Sequence, residues 1–289
     1  MDYEYIKHNA TASGKCGEDL HWYRLGAELY IDGTGSLYAP DCMDWGIVQK
    51  DLQEDILHLE IGEGCELIDV GTFWNWKRLR SLTLPASFTR LGYLKKSEES
   101  GDYWVEGENG IDELLYECPN LEMVEVHEDN PIYTTMNGVL FDKKMRKLLR
   151  YPQGKEGAYT IPCCVTIIGD GAFEGCVRLS DITISENVTV IEDGAFEGCT
   201  GLSQIVLPSG ITKVTCSAFY GCSGLISVKI PERVSEIGDV AFSGCTGLTS
   251  VAIPDGVTSI AKRAFKDVPH IIYHGPAQSE DNWGALSRS

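Results

Sequence analysis

The residues of this chain with the most chemistry available to them are its 11 cysteines. Thiolates bind soft metal ions and pair as disulfides. Cys176, Cys199, Cys222 and Cys245 recur every 23 residues, a spacing that does not converge ligands in the C-x2-C manner of a zinc site. It reads as one buried cysteine per structural repeat, filling a small slot at a turn near backbone carbonyls. Cys65 falls on an inward apolar position and reads as core. Cys163 and Cys164 are adjacent and so too close for an ordinary bridge, and on a strand they would face opposite ways. Cys16 and Cys42 flank an N-terminal segment and form the one pair open to a disulfide, given export to an oxidising compartment.

The remaining candidates are weaker. His270 and His274 have the spacing of a helical metal pair, but the intervening Ile271-Ile272-Tyr273 reads as strand, which separates them. His127-Glu128-Asp129 reads as an acidic turn before Asn130-Pro131, with too few ligands following for a calcium loop. Gly33-Thr34-Gly35 has no helix after it on which to seat a phosphate. No GxSxG, HExxH, P-loop or GxGxxG pattern stands out, so the expectation is a non-enzyme without cofactor or metal. Five of six tryptophans (Trp22, Trp45, Trp74, Trp76 and Trp104) lie in the first 104 residues. They either pack an irregular N-terminal half or form a recognition surface for protein or glycan. Trp74 and Trp76 flank Asn75 beside Phe73, so at least one is expected on the surface. With carboxylates such as Asp41, Asp44, Glu106 and Glu108, these aromatics define the alternative of a carbohydrate-binding or glycan-processing module.

Phe173, Phe196, Phe219, Phe242 and Phe265 lie 23 residues apart, each after an alanine, and the apolar positions between them move in step as LxxIxIPxxVxxIxxxAFxxCxx. A unit this short cannot bury seven or eight apolar positions alone, whereas stacked copies cover one another, so the fold is a repeat solenoid. The IxI segment alternates as a half-buried strand and the following proline ends it. Stacking gives a parallel sheet at about 4.8 Å per coil. VxxI is a second short extended segment, and Ala-Phe a single helical turn whose phenylalanine plugs the core. Looser copies occur at Ile56, Leu59, Ile61, Cys65, Ile68 and Phe73, from Leu79 to Pro85, and at Leu115, Cys118, Leu121, Val124 and Val126. Two insertions break the rhythm. Residues 92–110 read as a polar surface loop, and 131–160 as strands about an Asn137-Gly138 hairpin turn.

Strand alternation turns His58 and Glu60, Ser81 and Thr83, Met123 and Glu125, Asp181 and Thr183, Gln204 and Val206, Ser227 and Lys229, then Ser250 and Ala252 onto the outer sheet face. With Trp74, Trp76 and Trp104, this face is the expected partner-binding surface, suited to a broad, shallow contact. Its partner is expected to be a protein or a surface glycan. The chain's 43 acidic against 24 basic residues give a net charge of -19, of which -13 falls in residues 1–160, and such a charge repels nucleic acid and anionic lipid. No apolar run reaches the roughly 18 to 20 residues of a membrane span. Met1 is followed by Asp2 and Glu4, unlike an export signal, so a cytosolic scaffold is expected if Met1 is the native start. A monomer is expected.

The 23-residue unit, with its AFxGC and LxxIxIP elements, resembles the BspA-like (Treponema-type) leucine-rich repeats of bacterial surface proteins. It lacks the asparagine of the general LxxLxLxxN pattern. The likeness is closest over 161–275 and looser over 56–160. SGKCGEDLHWYRLGAELYIDGTGSLY at 13–38 is similar to the β module that precedes such repeats, and VPHIIYHGPAQSEDNWGALS to a capping tail, with Trp283 as its lid. The resemblance implies a mainly-β, right-handed leucine-rich superhelix of about eight coils. Residues 1–55 would be the N-terminal β module, 56–275 the solenoid (irregular coils over 56–130, regular ones over 161–275), and 276–289 the C-terminal cap. It further implies protein binding or adhesion at the cell surface or outside the cell, with no shared catalytic residues.

Overall fold

A computed structural model describes residues 2–17, 19–37, 52–69, 72–96, 103–106, 115–279 and 281–289. The chain forms two compact units, residues 1–143 and 144–289.

The first unit opens with a seven-residue helix, α1 (Tyr3–Asn9), capped by the Asp2 carboxylate, which accepts a hydrogen bond from the Tyr5 amide at 3.2 Å. Strands β1 (Ala12–Lys15), β2 (Asp19–Leu25) and β3 (Glu28–Leu37) then pair antiparallel. β3 serves two ladders. Its first half pairs in parallel with β4 (His58–Ile61), and beyond a register shift at Gly35/Ser36 its end pairs in parallel with β5 (Cys65–Asp69). One strand thus templates both extended segments of the first coil, which lets an antiparallel module hand over to a parallel stack. The bend uses Gly33 (φ +123°), where a Cβ would meet the Asp19 carbonyl oxygen at 2.0 Å.

β6 (Ser81–Leu84) stacks on β4, and β7 (Arg90–Lys96) on β5. Residues 92–110 are not the simple surface loop expected from their polarity. β7 runs antiparallel to β8 (Tyr103–Glu106), with Lys96 opposite Tyr103, because backbone pairing asks for no apolar period in the side chains. β9 (Met123–Val126) continues the ladder from β6, and β10 (Tyr133–Met136) and β11 (Val139–Asp142) form the expected hairpin. Its turn residues Asn137 (φ +53°) and Gly138 (φ +77°) both take the left-handed conformation of a type I′ turn. Asn130 is fully buried and fully bonded: its amide donates to the Pro85 and Phe88 carbonyls, while its oxygen accepts from the Ile132 and Tyr133 amides.

In the second unit the repeat appears in register. On one side lie the parallel pairs Gly157–Thr160 with Leu179–Thr183, Gln204–Val206 with Ser227–Lys229, and Val251–Ala252 with Ile271–Ile272. The VxxI segments pair separately, Val190–Ile191 on Ile167–Ile168 and, in a second ladder, Lys213–Val214 with Glu236–Ile237 with Ser259–Ile260. Gln204 faces Ser227 and Lys213 faces Glu236, one period apart. The last coil is shorter by three residues, since Val251 faces Ile271.

Between these segments the turns lock coil to coil. Phe173, Phe196, Phe219, Phe242 and Phe265 stack with centroids 5.0 to 5.4 Å apart and planes within 10° of parallel, all buried. The amides of Phe173, Phe196, Phe219 and Phe242 each donate to the alanine carbonyl of the next coil, as Phe196 does to Ala218 at 2.9 Å. The repeated cysteine bonds the other way. Cys199, Cys222 and Cys245 donate their thiols to the carbonyls of Phe173, Phe196 and Phe219 at 3.1, 3.0 and 3.1 Å. In the first unit Cys118 does the same to Phe73 at 3.2 Å. The stack ends on Trp283, which is buried, sits edge-on to Tyr273, and accepts the Phe265 amide through its carbonyl. The terminal residues then pair beside the last strand: Ile271 donates to Ser287, and Ser289 to Ile271.

Three outcomes follow. Phe219→Ala, by emptying the middle of the stack, should destabilise the fold by about 3 to 5 kcal/mol in urea unfolding. The second concerns pH. Burial pushes the Cys176 and Cys222 thiols up to about 12, above the roughly 8.5 of an unfolded thiol. Their contribution is therefore complete below the unfolded value and lost as pH climbs towards 12. Stability measured by urea unfolding should fall across that window, and less so in Cys222→Ala. At pH 8 the folded chain should expose to a thiol reagent, of its described cysteines, Cys163, Cys164 and Cys216.

Candidate interaction surface

Parallel pairing converts the expected outward residues into rows. In the first unit Glu28, His58, Ser81 and Met123 lie side by side across β3, β4, β6 and β9, and Tyr30, Glu60, Thr83 and Glu125 form the next row. The residues between them, Leu29, Leu59, Leu82 and Val124, are buried. Met123 is 41% exposed, and the His58 ring hydrogen-bonds the Ser81 hydroxyl at 2.8 Å. In the second unit Gln204 pairs with Ser227, Val206 with Lys229, and Ala252 with Ile272. Asp181, Thr183 and Ser250 are exposed as well, and Val206 is 60% exposed. Register thus adds Glu28 to the first unit's row and Ile272 to the second unit's, residues that repeat alignment alone did not reach, while Tyr30 falls in line but is buried.

Glu60 is not freely presented. Helix α1 lies against this face, with the Tyr3 hydroxyl donating to the Glu60 carboxylate at 3.3 Å and Lys7 pairing with Asp32 at 2.9 Å. Gly62 makes room for the helix, since a Cβ there would meet the Tyr3 oxygen at 2.7 Å. Burial first, then Glu60 beside it, pushes the Tyr3 phenol up. Burial also raises the Glu60 carboxyl. The sequence did carry a signal for α1, a capping Asp2 ahead of a single buried Ile6, but about two turns are too short for a periodicity to register.

Two hollows mark the ends of these strands. One, of about 550 Å³, is lined by Leu57, His58, Arg78, Arg80, Asn120 and Met123, among others, and lies where the strands begin. The other, of about 490 Å³, lies where they end and holds Tyr3, Glu60, Glu63 and Glu125.

The tryptophans divide. Trp76 is withdrawn from the binding surface on which it was expected: it is wholly buried, edge-on to Phe73 at 5.7 Å, because it fills core space beside the phenylalanine plug. Trp74 is 37% exposed and tilts against Tyr116, which is 40% exposed, in the turns rather than on the strands. Trp104 sits on β8 opposite Lys95. Asp41, Cys42, Asp44, Trp45 and Glu108 lie outside the described residues. Cys16 is a buried free thiol whose proton is held by burial and the neighbouring Cys65. Cys163 and Cys164 are both exposed in a turn rather than split across a strand. Among the described residues no group of three or more His, Cys, Asp or Glu side chains is arranged to hold a metal, and no helix is long and apolar enough to cross a membrane. Trp76→Ala should cost about 3 to 5 kcal/mol in urea unfolding. Trp74→Ala should cost less than about 1 kcal/mol.

Residues 157–272 match the BspA type leucine-rich repeat region, in six copies. Among solved structures, the pneumococcal vaccine antigen PcpA superposes with a TM-score of 0.65 at 23% identity, over 80% of this chain and 55% of that one. A leucine-rich cell surface protein from Faecalibacterium prausnitzii A2-165 superposes with a TM-score of 0.63 at 30% identity, over 80% of this chain and 56% of that one. This chain therefore spans little more than half the length of either. No curated protein matches it. Motif, register and superposition agree that residues 157–272 are a BspA-type leucine-rich repeat region.

Proposed function

We propose that this chain is a non-enzymatic binding protein of the bacterial surface, which presents its outer sheet face to a macromolecular partner in adhesion or another protein contact. The observation that carries this reading is the row structure itself. Met123 in the first unit is 41% exposed beside Ser81, and in the second unit Val206 and Ile272 are 60 and 38% exposed beside Lys229 and Ala252, so each unit's outer strands offer apolar contact area without a deep pocket. The likeness to a leucine-rich cell surface protein at 30% identity supports the location. A second reading, carbohydrate binding, draws on Trp74 and Tyr116, whose partly exposed rings lie 5.8 Å apart. A panel of extracellular matrix proteins, mucins and bacterial surface proteins, probed with the full chain, tests both. Gln204→Arg and Lys229→Glu should reduce capture at least tenfold with the melting temperature unchanged, whereas equal capture by wild type and both variants would remove the sheet face from the assignment. Loss confined to Trp74→Ala would favour the carbohydrate reading.

A further inference from the structure

The hollow at the start of the first unit's strands is chemically out of place. Residues 1–143 carry 28 acidic and 11 basic side chains, a net charge of -17, against -2 for residues 144–289. Yet this hollow collects two guanidinium groups, Arg78 and Arg80, around His58 and Asn120, against one lining carboxylate, Glu122. The repeat does not call for them. At the Arg78 position the regular coils hold Arg178 and then Gly201, Gly224 and Gly247, and at the Arg80 position Ser180, Ser203, Ile226 and Thr249, so it is the pair of arginines in one coil that the repeat does not supply. Arg78 donates one N–H to the Glu54 carbonyl at 3.1 Å, a neutral partner that orients the guanidinium and leaves its charge uncompensated there. Asn120, one coil on, donates likewise to the Lys77 carbonyl at 2.6 Å. Arg80 touches Glu122 through a single contact of 3.2 Å, with both side chains more than half exposed, a pairing of little strength. A guanidinium has five N–H groups in a planar fork, so each arginine keeps donors for a carboxylate.

We infer that this hollow binds a single carboxylate group carried by an otherwise uncharged ligand. The inference deepens the sheet-face reading by naming the chemistry that one end of the face recognises, and it rests on that reading for its place on the molecule. Arg78 and Arg80 take the carboxylate, Asn120 and the His58 ring supply polar contacts, and the exposed Met123 side chain with Leu57 bounds the uncharged part. Single charge is required by what lies along the same strands. Two residues beyond His58 and Met123 stand Glu60 and Glu125, about 7 Å away at strand spacing, so a polyanion that reached the arginines would run onto carboxylates.

The test uses small probes on the full chain, independent of any macromolecular partner. Methyl glucuronide and N-acetyl-glycylglycine present the carboxylate as an acidic sugar and as a peptide C-terminus, and the amide of each lacks the charge. Titration followed by amide chemical shifts should show saturable binding of at least one acid, with shifts centred on Arg78, Arg80 and Ser81, and at least tenfold weaker binding of its amide. Which acid binds identifies the source. Arg80→Ala should weaken binding about tenfold. Glu122→Gln, which removes the internal competitor, should strengthen it several-fold. Arg80 is exposed, so its variant keeps the fold if Arg78→Gln does not. Failure of both acids to saturate, equal binding of acid and amide, or unchanged affinity in Arg80→Ala would each overturn the site, whatever the partner screen returns. Tighter binding of a sulfated oligosaccharide than of either acid would overturn the single-charge requirement.

Discussion

The second unit depends on how one coil grips the next at its turns. A phenylalanine ring supplies dispersion and area, but rings alone could slide along the stack. What fixes them is a pair of opposed hydrogen bonds at each step. The phenylalanine amide reaches forward to an alanine carbonyl, and the next coil's cysteine thiol reaches back to the phenylalanine carbonyl. That carbonyl also accepts the amide of the cysteine in its own coil, so both lone pairs are used. Glycines at the same turn (Gly175, Gly198, Gly221 and Gly244, φ +69° to +76°) let the backbones approach, and Gly175, Gly198 and Gly221 donate to the coil that follows. The strands, two to five residues each, are too short to set the register by themselves.

This explains why the regular half was so legible. Every position of the unit recurs in phase, so Phe, Cys, strand and turn could be assigned from spacing, and the observed pairing of Gln204 with Ser227 is the one the spacing dictates. The hairpin about Asn137-Gly138 was legible for a different reason, because two left-handed residues in succession are costly for most side chains and cheap for Asn-Gly. Legibility fails where a residue's role is set by a distant partner. Tyr3 matters because it meets Glu60, Asn130 because four backbone groups converge on it, and Trp76 because Phe73 stands beside it. None of these is periodic. The three-residue shortening of the last coil was hidden in the same way, since Ile271-Ile272 looks like any strand until its partner is known.

The candidate surface was legible in outline and not in detail. Alternation alone places His58, Ser81 and Met123 outward, but only register makes them neighbours, and only the turns bring Arg78 and Arg80 to their edge. The unit with the irregular coils also holds nearly all the net charge. The uniform coils of the other unit answer to packing, and their outer residues are mostly small. Departure from the repeat is therefore where side chains are released from the stack and become available for recognition.

The pairing of the C-terminal residues beside Ile271 bears on how copies of the chain meet one another. A parallel stack ends in a row of unpaired amides and carbonyls, which invites another molecule to add as a further rung. Ser287 and Ser289 occupy that row, and the hydroxyls of the same two serines hold both nitrogens of the His270 ring. Fibre growth by edge addition at this end would first have to peel away a strand tied down by its backbone, by histidine, and by Arg288 lying over Tyr273 and Trp283.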